Sequence, residues 1–300
     1  MKRYAPLFVI VAAALWGVDG IILTPALYSL PVTLVVFIES TIVALLLSPI
    51  LFKDLKRIKS LTIKEWLAFG GVALFGGAIG TMAITKALFY VNYVNLSVVI
   101  LIQKLQPVFA LILAAIILKE RLPKIFFVWA SLAIIGAYFM TFGFTLPDLS
   151  TGDKTTIASI LSLIAAISFG SSTVFSKIGL KNIDFALGTY LRFLLSSVIM
   201  IILIILFNEF SSIADVSSAQ WIIFVIIAFT TGGAAIFLYY FGLKKISASV
   251  ATICELAFPL TAVVLDYIIH GNVLSIIQWI GVTILIISIV KVSQLGFENR

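Results

Sequence analysis

Charge is scarce in this 300-residue chain: Asp, Glu, Lys and Arg make up 11% of it, against 62% hydrophobic residues and a mean hydropathy of +1.22. A soluble domain carries about 25% charged residues, so this composition cannot cover a water-facing surface. Cysteine and histidine are nearly absent. The lone Cys254 excludes an internal disulfide and a cysteine metal site, and the lone His270 leaves no set of imidazoles to hold a metal. Also missing are GxxxxGK[ST], H-E-x-x-H and clustered aspartates, which removes an ATP-driven pump and leaves an intramembrane enzyme without its chemistry. No cofactor is expected. Strictly alternating segments of about ten residues are lacking too, so an outer-membrane barrel is excluded.

What the chain does have is apolar runs of about twenty residues, the length of a helix that crosses a bilayer. Hydropathy places ten spans, at 5–28, 32–52, 65–90, 95–118, 123–143, 155–177, 184–207, 218–242, 247–269 and 275–293. The basic start MKRYAPLFVIVAAALWG resembles a signal peptide, but the run stays apolar to Leu30 with Asp19 as its interruption, which favours an uncleaved span. A polar linker, 144–154, separates 1–143 from 155–300, with five spans on each side. The net charge of +7 reports topology and not nucleic-acid binding. Sixteen Lys and Arg, from Lys2 and Arg3 through the 53–64 loop to Lys291 and Arg300, fall on one side of the membrane, and only Lys154 on the other. By the positive-inside rule both termini are cytoplasmic and the chain is a multi-pass protein of the cell (inner) membrane.

The two halves echo each other. At a shift of 152, Ser97, Val98, Gln103, Pro107, Ala110 and Leu122 fall on Ser249, Val250, Glu255, Pro259, Ala262 and Leu274, and at 153 Trp16-Gly17 falls on Phe169-Gly170. Five spans is an odd number, so the two units enter the membrane in opposite directions. The expected fold is all-α and polytopic, ten transmembrane helices as two inverted five-helix repeats, the plan of many secondary transporters.

These features, with the Trp-Gly of span 1 and the mid-span proline followed by LKERL at 118–122, resemble the drug/metabolite transporter superfamily, in its EamA-like branch. The resemblance implies a permease, commonly an exporter of amino acids or other small metabolites, with a central cavity lined by spans 3, 4, 8 and 9 and a contribution from span 1. In the second repeat Gly271-Asn272 stands where the first has Lys119-Glu120.

Charges inside a bilayer are costly, by about 2.5–3.5 kcal/mol each at a helix centre, so they face protein or water and mark pathways. The substrate and coupling-site candidates are Trp16, Asp19, Gln103, Lys104, Gln106, Pro107, Glu255 and Pro259, and a second set is Glu39, Lys86, Arg192 and Asp266. Gln103, Gln106, Pro107 and Ala110 share one narrow helical face, repeated by Glu255, Phe258, Pro259 and Ala262, which lines the cavity or serves as polar contact between helices. Each proline frees a carbonyl one turn back, at Gln103 and at Glu255. Lys104 needs a carboxylate, with Glu255, Asp19 and Glu39 as candidates, and Glu39 and Arg192, equivalent in the repeat, suit a structural ion pair. Lys104 with Glu255 would also suit a zwitterion such as an amino acid. The expected partners are a small molecule, the lipid bilayer and protons as a coupling ion. A passive channel or lipid scramblase of the same fold is the alternative.

Overall fold

The computed structural model describes residues 4–90, 99, 102–144, 153–270 and 273–298, and every regular element among them is helical. The linker 144–154 thus lies almost wholly outside the described residues, as does most of the first half of span 4. Several helices begin where the sequence supplies a first-turn proline or a capping side chain. Helix α1, Ala5–Val18, has Pro6 in its first turn and continues as a π-helical segment, Asp19–Leu23, and a 3₁₀ turn, Thr24–Leu27. Helix α2, Val32–Leu46, follows Pro31 and ends at Leu47, where Pro49 opens α3, Ser48–Lys53. After α4, Leu55–Lys59, a reciprocal Thr62/Glu65 box caps α5, Ile63–Gly71. That path runs on through a π-helical Val72–Ile79 into α6, Gly80–Tyr90.

Helices α7, Gln106–Ile117, and α8, Lys124–Phe142, complete the first half. In the second, α9, Asp153–Gly179, leads to α10, Phe185–Leu206, capped by Asp184. A Ser217/Gln220 box opens α11, Ser218–Phe229, which breaks at Thr230–Gly232 before α12, Gly233–Leu243. Ser247 caps α13, Ala248–Cys254, and α14, Ala257–His270, and α15, Ile276–Glu298, close the chain.

Eight of these paths are long and apolar enough to cross a membrane. The predicted spans 2 and 4 correspond to shorter apolar helices, Val32–Leu46 and Gln106–Ile117. In span 2 proline explains this, since Pro49 sits in the first turn of a new helix; Pro107 likewise opens the helix that follows the turn at Lys104 and Leu105, while most of span 4 before that turn lies outside the described residues. Large apolar side chains point outward all round the bundle, Ile63, Ile116, Ile205, Ile222 and Ile276 among them, a surface that suits lipid and would aggregate in water.

Close crossings bring the helices together, as van der Waals contact must where lipid removes the hydrophobic drive. Helix α1 packs on α12 and α14, α9 on α6 and α7, α2 on α10, and α8 on α15. Gly17 lies so near α14 that a Cβ there would stand 2.8 Å from the Phe258 carbonyl oxygen and 3.1 Å from the Ala262 nitrogen. Gly170 meets α7 in the same way, 2.9 Å from the Ala110 nitrogen and 3.1 Å from the Gln106 carbonyl oxygen. Gly136 and Gly281 face each other where α8 crosses α15.

Candidate functional site

Span 9 is not a continuous helix. It turns at Glu255 and Leu256, between α13 and α14, and span 4 turns at Lys104 and Leu105, just before α7. In each case a proline two or three residues further on occupies the first turn of the following helix, where its missing N–H is not needed. The expected free carbonyl at Glu255 is not free: the Phe258 N–H donates to it at 2.9 Å, because the chain tightens to a three-residue turn there.

The Glu255 carboxylate sits at the centre of a polar cluster drawn from four helices. Tyr239 of α12 donates its hydroxyl to one oxygen at 2.6 Å, Thr173 of α9 donates to the same oxygen at 3.2 Å, and Gln106 of α7 donates its amide to the other at 2.9 Å. The rings of Trp16 and Tyr239 are 5.3 Å apart and tilted by 54°, so α1 joins the cluster through an aromatic contact. Arg192 of α10 lies within electrostatic reach of Glu255, its guanidinium 6.0 Å from the centre of the Tyr240 ring, and Tyr240 in turn shares a hydrogen bond with Ser176 at 2.9 Å. Glu255 and Gln106 lie deep in the bundle yet keep part of their surface accessible, whereas Tyr239 and Thr173 are buried. Neutral donors hold the carboxylate there without consuming all its acceptor capacity.

The structure thus brings Trp16, Gln106 and Glu255 together. Pro107 is buried and Pro259 half-buried beside the Gly170 and Gly17 crossings, so the small-residue part of the narrow face packs helices and its polar part forms the cluster. Gln103 and Lys104 are half-buried at the span 4 turn, and no carboxylate lies within ion-pair distance of Lys104 among the described residues. The expected Glu39–Arg192 pair is absent. Arg192 stands 6.0 Å from the centre of the Tyr240 ring and makes no ion pair with Glu39. Asp19 accepts from Thr24 at 3.1 Å and from Thr231, in the break of span 8, at 3.0 Å. Lys86 is exposed, away from the cluster, and the side chain of Asp266 lies outside the described residues.

Sequence reasoning missed Tyr239, Thr173, Glu120 and Lys177. The Glu120 carboxylate of LKERL accepts from the Ala248 N–H at 2.8 Å and from the Ser249 N–H and hydroxyl at 3.1 and 2.5 Å, capping α13 from across the chain. Lys177 donates to the carbonyls of Leu243 at 2.7 Å and Ile246, at the end of α12. The signal for Tyr239 was its hydroxyl in an apolar span, which must find an acceptor.

Helices broken at mid-span, wrapped around a deep carboxylate and held by outward apolar surface, define a polytopic membrane transporter. The chain belongs to the EamA-like transporter family, which matches it twice, over residues 3–142 and 156–294. It is 50% identical over 292 residues, 97% of each chain, to a protein of Fusobacterium nucleatum subsp. nucleatum named riboflavin transporter ImpX. A Synechocystis protein described as an uncharacterized transporter is 27% identical over 246 residues, 78% of this chain and 67% of that one. One solved crystal structure superposes with a TM-score of 0.72 over 99% of both chains at 16% identity, a likeness of fold alone.

Proposed function

We propose that this protein is a secondary transporter of riboflavin in the cytoplasmic membrane. It works by alternating access of two inverted five-helix halves, with both termini cytoplasmic. The observation that carries the substrate is the 50% identity over 97% of both chains with the riboflavin transporter. The cluster suits such a solute. Riboflavin is an uncharged, flat tricyclic ring with a donor-and-acceptor edge and a polyhydroxyl tail. Trp16, backed by the buried Tyr239, offers an aromatic face to the ring, while Glu255 and Gln106, braced by the buried Thr173, offer an acceptor and a donor to hydroxyl or imino groups. A zwitterion fits less well, since Glu255 is already held by neutral donors and Lys104 stands apart from any carboxylate among the described residues.

Exchange of contacts between the halves supports the inverted repeat. Gly17 meets Phe258 and Ala262, and Gly170 meets their counterparts Gln106 and Ala110. The test is counterflow of labelled riboflavin in proteoliposomes, in both directions, with amino acids as competitors. Wild-type protein should exchange riboflavin, Tyr239→Phe should raise the half-saturating concentration by about ten- to a hundredfold for the loss of a charge-assisted hydrogen bond of about 1.5–3 kcal/mol, and Glu255→Ala should abolish exchange. Amino-acid competition without riboflavin exchange would replace the flavin reading. Movement with neither counterflow nor saturation would make the protein a channel.

A further inference from the structure

Glu120 does more than cap α13, because its partners belong to the other half of the chain. Its carboxylate, at the end of span 4, accepts from the Ala248 N–H at 2.8 Å, the Ser249 N–H at 3.1 Å and the Ser249 hydroxyl at 2.5 Å, at the start of span 9. Beside these bonds Ala114 of α7, Val174 of α9 and Ala248 of α13 are buried against one another. That seal is made of small side chains, so parting it exposes little apolar surface, and the hydrogen bonds to a charged group are the stronger hold. The turn that delivers Glu120 is strained. Lys119 has a φ of 55°, a left-handed conformation that disfavours any side chain, and such strain persists only where the surroundings fix it.

This link is one-sided, whereas two other contacts between the halves come as a matched pair at opposite ends of the bundle. The Thr62/Glu65 box of α5 meets Asn182, whose amide donates to Glu65 at 3.2 Å. The Ser217/Gln220 box of α11 meets Ser29, to which Gln220 donates at 3.0 Å. Ser29 and Asn182 are equivalent at the shift of 153. Both contacts are made at once, so they brace the halves without regard to which face is closed. Glu120 has no such twin in the sequence: Asn272 stands at its place in the second repeat, after Gly271 where the first has Lys119. Glycine is not strained by a left-handed turn, and asparagine brings no charge.

We propose that Glu120 is the clasp of the cytoplasmic gate. It holds the ends of spans 4 and 9 together in the conformation of this structure and lets go when the path opens to the cytoplasm. Without a second carboxylate to clasp the other face, the protein rests with its cytoplasmic face closed. Release of Glu120 also frees Lys119 from its left-handed turn, which favours a gate with two definite positions over one that yields gradually.

The proposal rests on the transport reading for what the opening serves, but the gate can be tested without a solute. Full-length protein in riboflavin-free lipid nanodiscs, in a Cys254→Ser background, would carry spin labels at Arg121→Cys and Lys245→Cys, on either side of the clasp. Pulsed electron paramagnetic resonance should give one dominant short distance in the otherwise unchanged protein. Glu120→Ala should raise the longer-distance population severalfold, with Glu120→Gln and Ser249→Ala moving a smaller share the same way and carrying the test should Glu120→Ala not fold. Ser247→Ala is the control: it removes the local cap of α13, which Val250 N–H makes at 3.2 Å, and leaves Glu120 in place. It should leave the distances unchanged. An unchanged distribution in the Glu120 and Ser249 variants, the same shift in Ser247→Ala, or a dominant long distance before any gate substitution overturns the proposal. Failure of riboflavin counterflow with the Glu120 shift intact would remove the solute and leave the gate.

Discussion

The crossing of α1 with α14 gives the sharpest quantitative test of the packing. Placing a methyl group on Gly17 puts it 2.8 Å from the Phe258 carbonyl oxygen, about 0.6 Å inside the 3.4 Å at which ordinary contact begins. The obstacle is backbone, and it cannot swing aside as the end of a long side chain could. Gly170→Ala meets the Ala110 nitrogen at 2.9 Å, about 0.5 Å too close, while at Gly70 a Cβ finds nothing within 4 Å. Overpacking of this kind costs about 1–3 kcal/mol. At roughly 2–4 °C per kcal/mol for chains of this order, Gly17→Ala and Gly170→Ala should each lower the unfolding midpoint by several degrees. The assay is thermal unfolding of purified protein in detergent followed by tryptophan fluorescence, with Gly70→Ala as the control. Because Gly17 adjoins Trp16, its variant should also lose most of the proposed riboflavin exchange. Wild-type midpoints for both Gly17→Ala and Gly170→Ala would refute the argument that these crossings are set by backbone contact.

Two further outcomes can be checked directly. Glu120→Ala removes three hydrogen bonds from the start of α13 and should cost about 1–2 kcal/mol as a lost helix cap, with Glu120→Gln recovering part of it; equal midpoints for wild type and Glu120→Ala would show the cap to be idle. In a Cys254→Ser background, Asp148→Cys should react with an impermeant maleimide added to intact cells, as an external linker requires, and protection of that site would overturn the cytoplasmic placement of the termini.

Hydropathy located eight apolar helices to within a few residues, because the bilayer imposes one length and one chemistry on each of them, while the predicted spans 2 and 4 correspond to shorter helices among the described residues. The prolines at 107 and 259 marked where helices restart, for the same backbone reason that excludes proline from a helix interior. What the sequence could not show was which helices meet. Glu255 stood out as a charge in an apolar run, but Tyr239 and Thr173 are ordinary residues in their own spans and become its donors only when α9 and α12 are brought to α13. The Glu39–Arg192 pair failed for the converse reason. Equivalent positions in a repeat share a place in their own halves, and nothing in that equivalence makes them neighbours. Glu120 carried no sign of its role, since its partners are two backbone N–H groups 128 and 129 residues away.

The paired glycine crossings bear on how such a chain could have arisen. The first half owns one donor surface, at Gly17, and one receiving surface, at Gln106 to Ala110; the second half owns the same two, at Gly170 and at Phe258 to Ala262. An interface in which each side presents both parts is self-complementary, the condition for a closed homodimer. A half-length ancestor would therefore have needed no second gene to make a partner, only two copies of one product. Were two such copies fused through the 144–154 stretch, each half would be free to diverge, and a glutamate could settle at 255 while its counterpart at 103 is a glutamine.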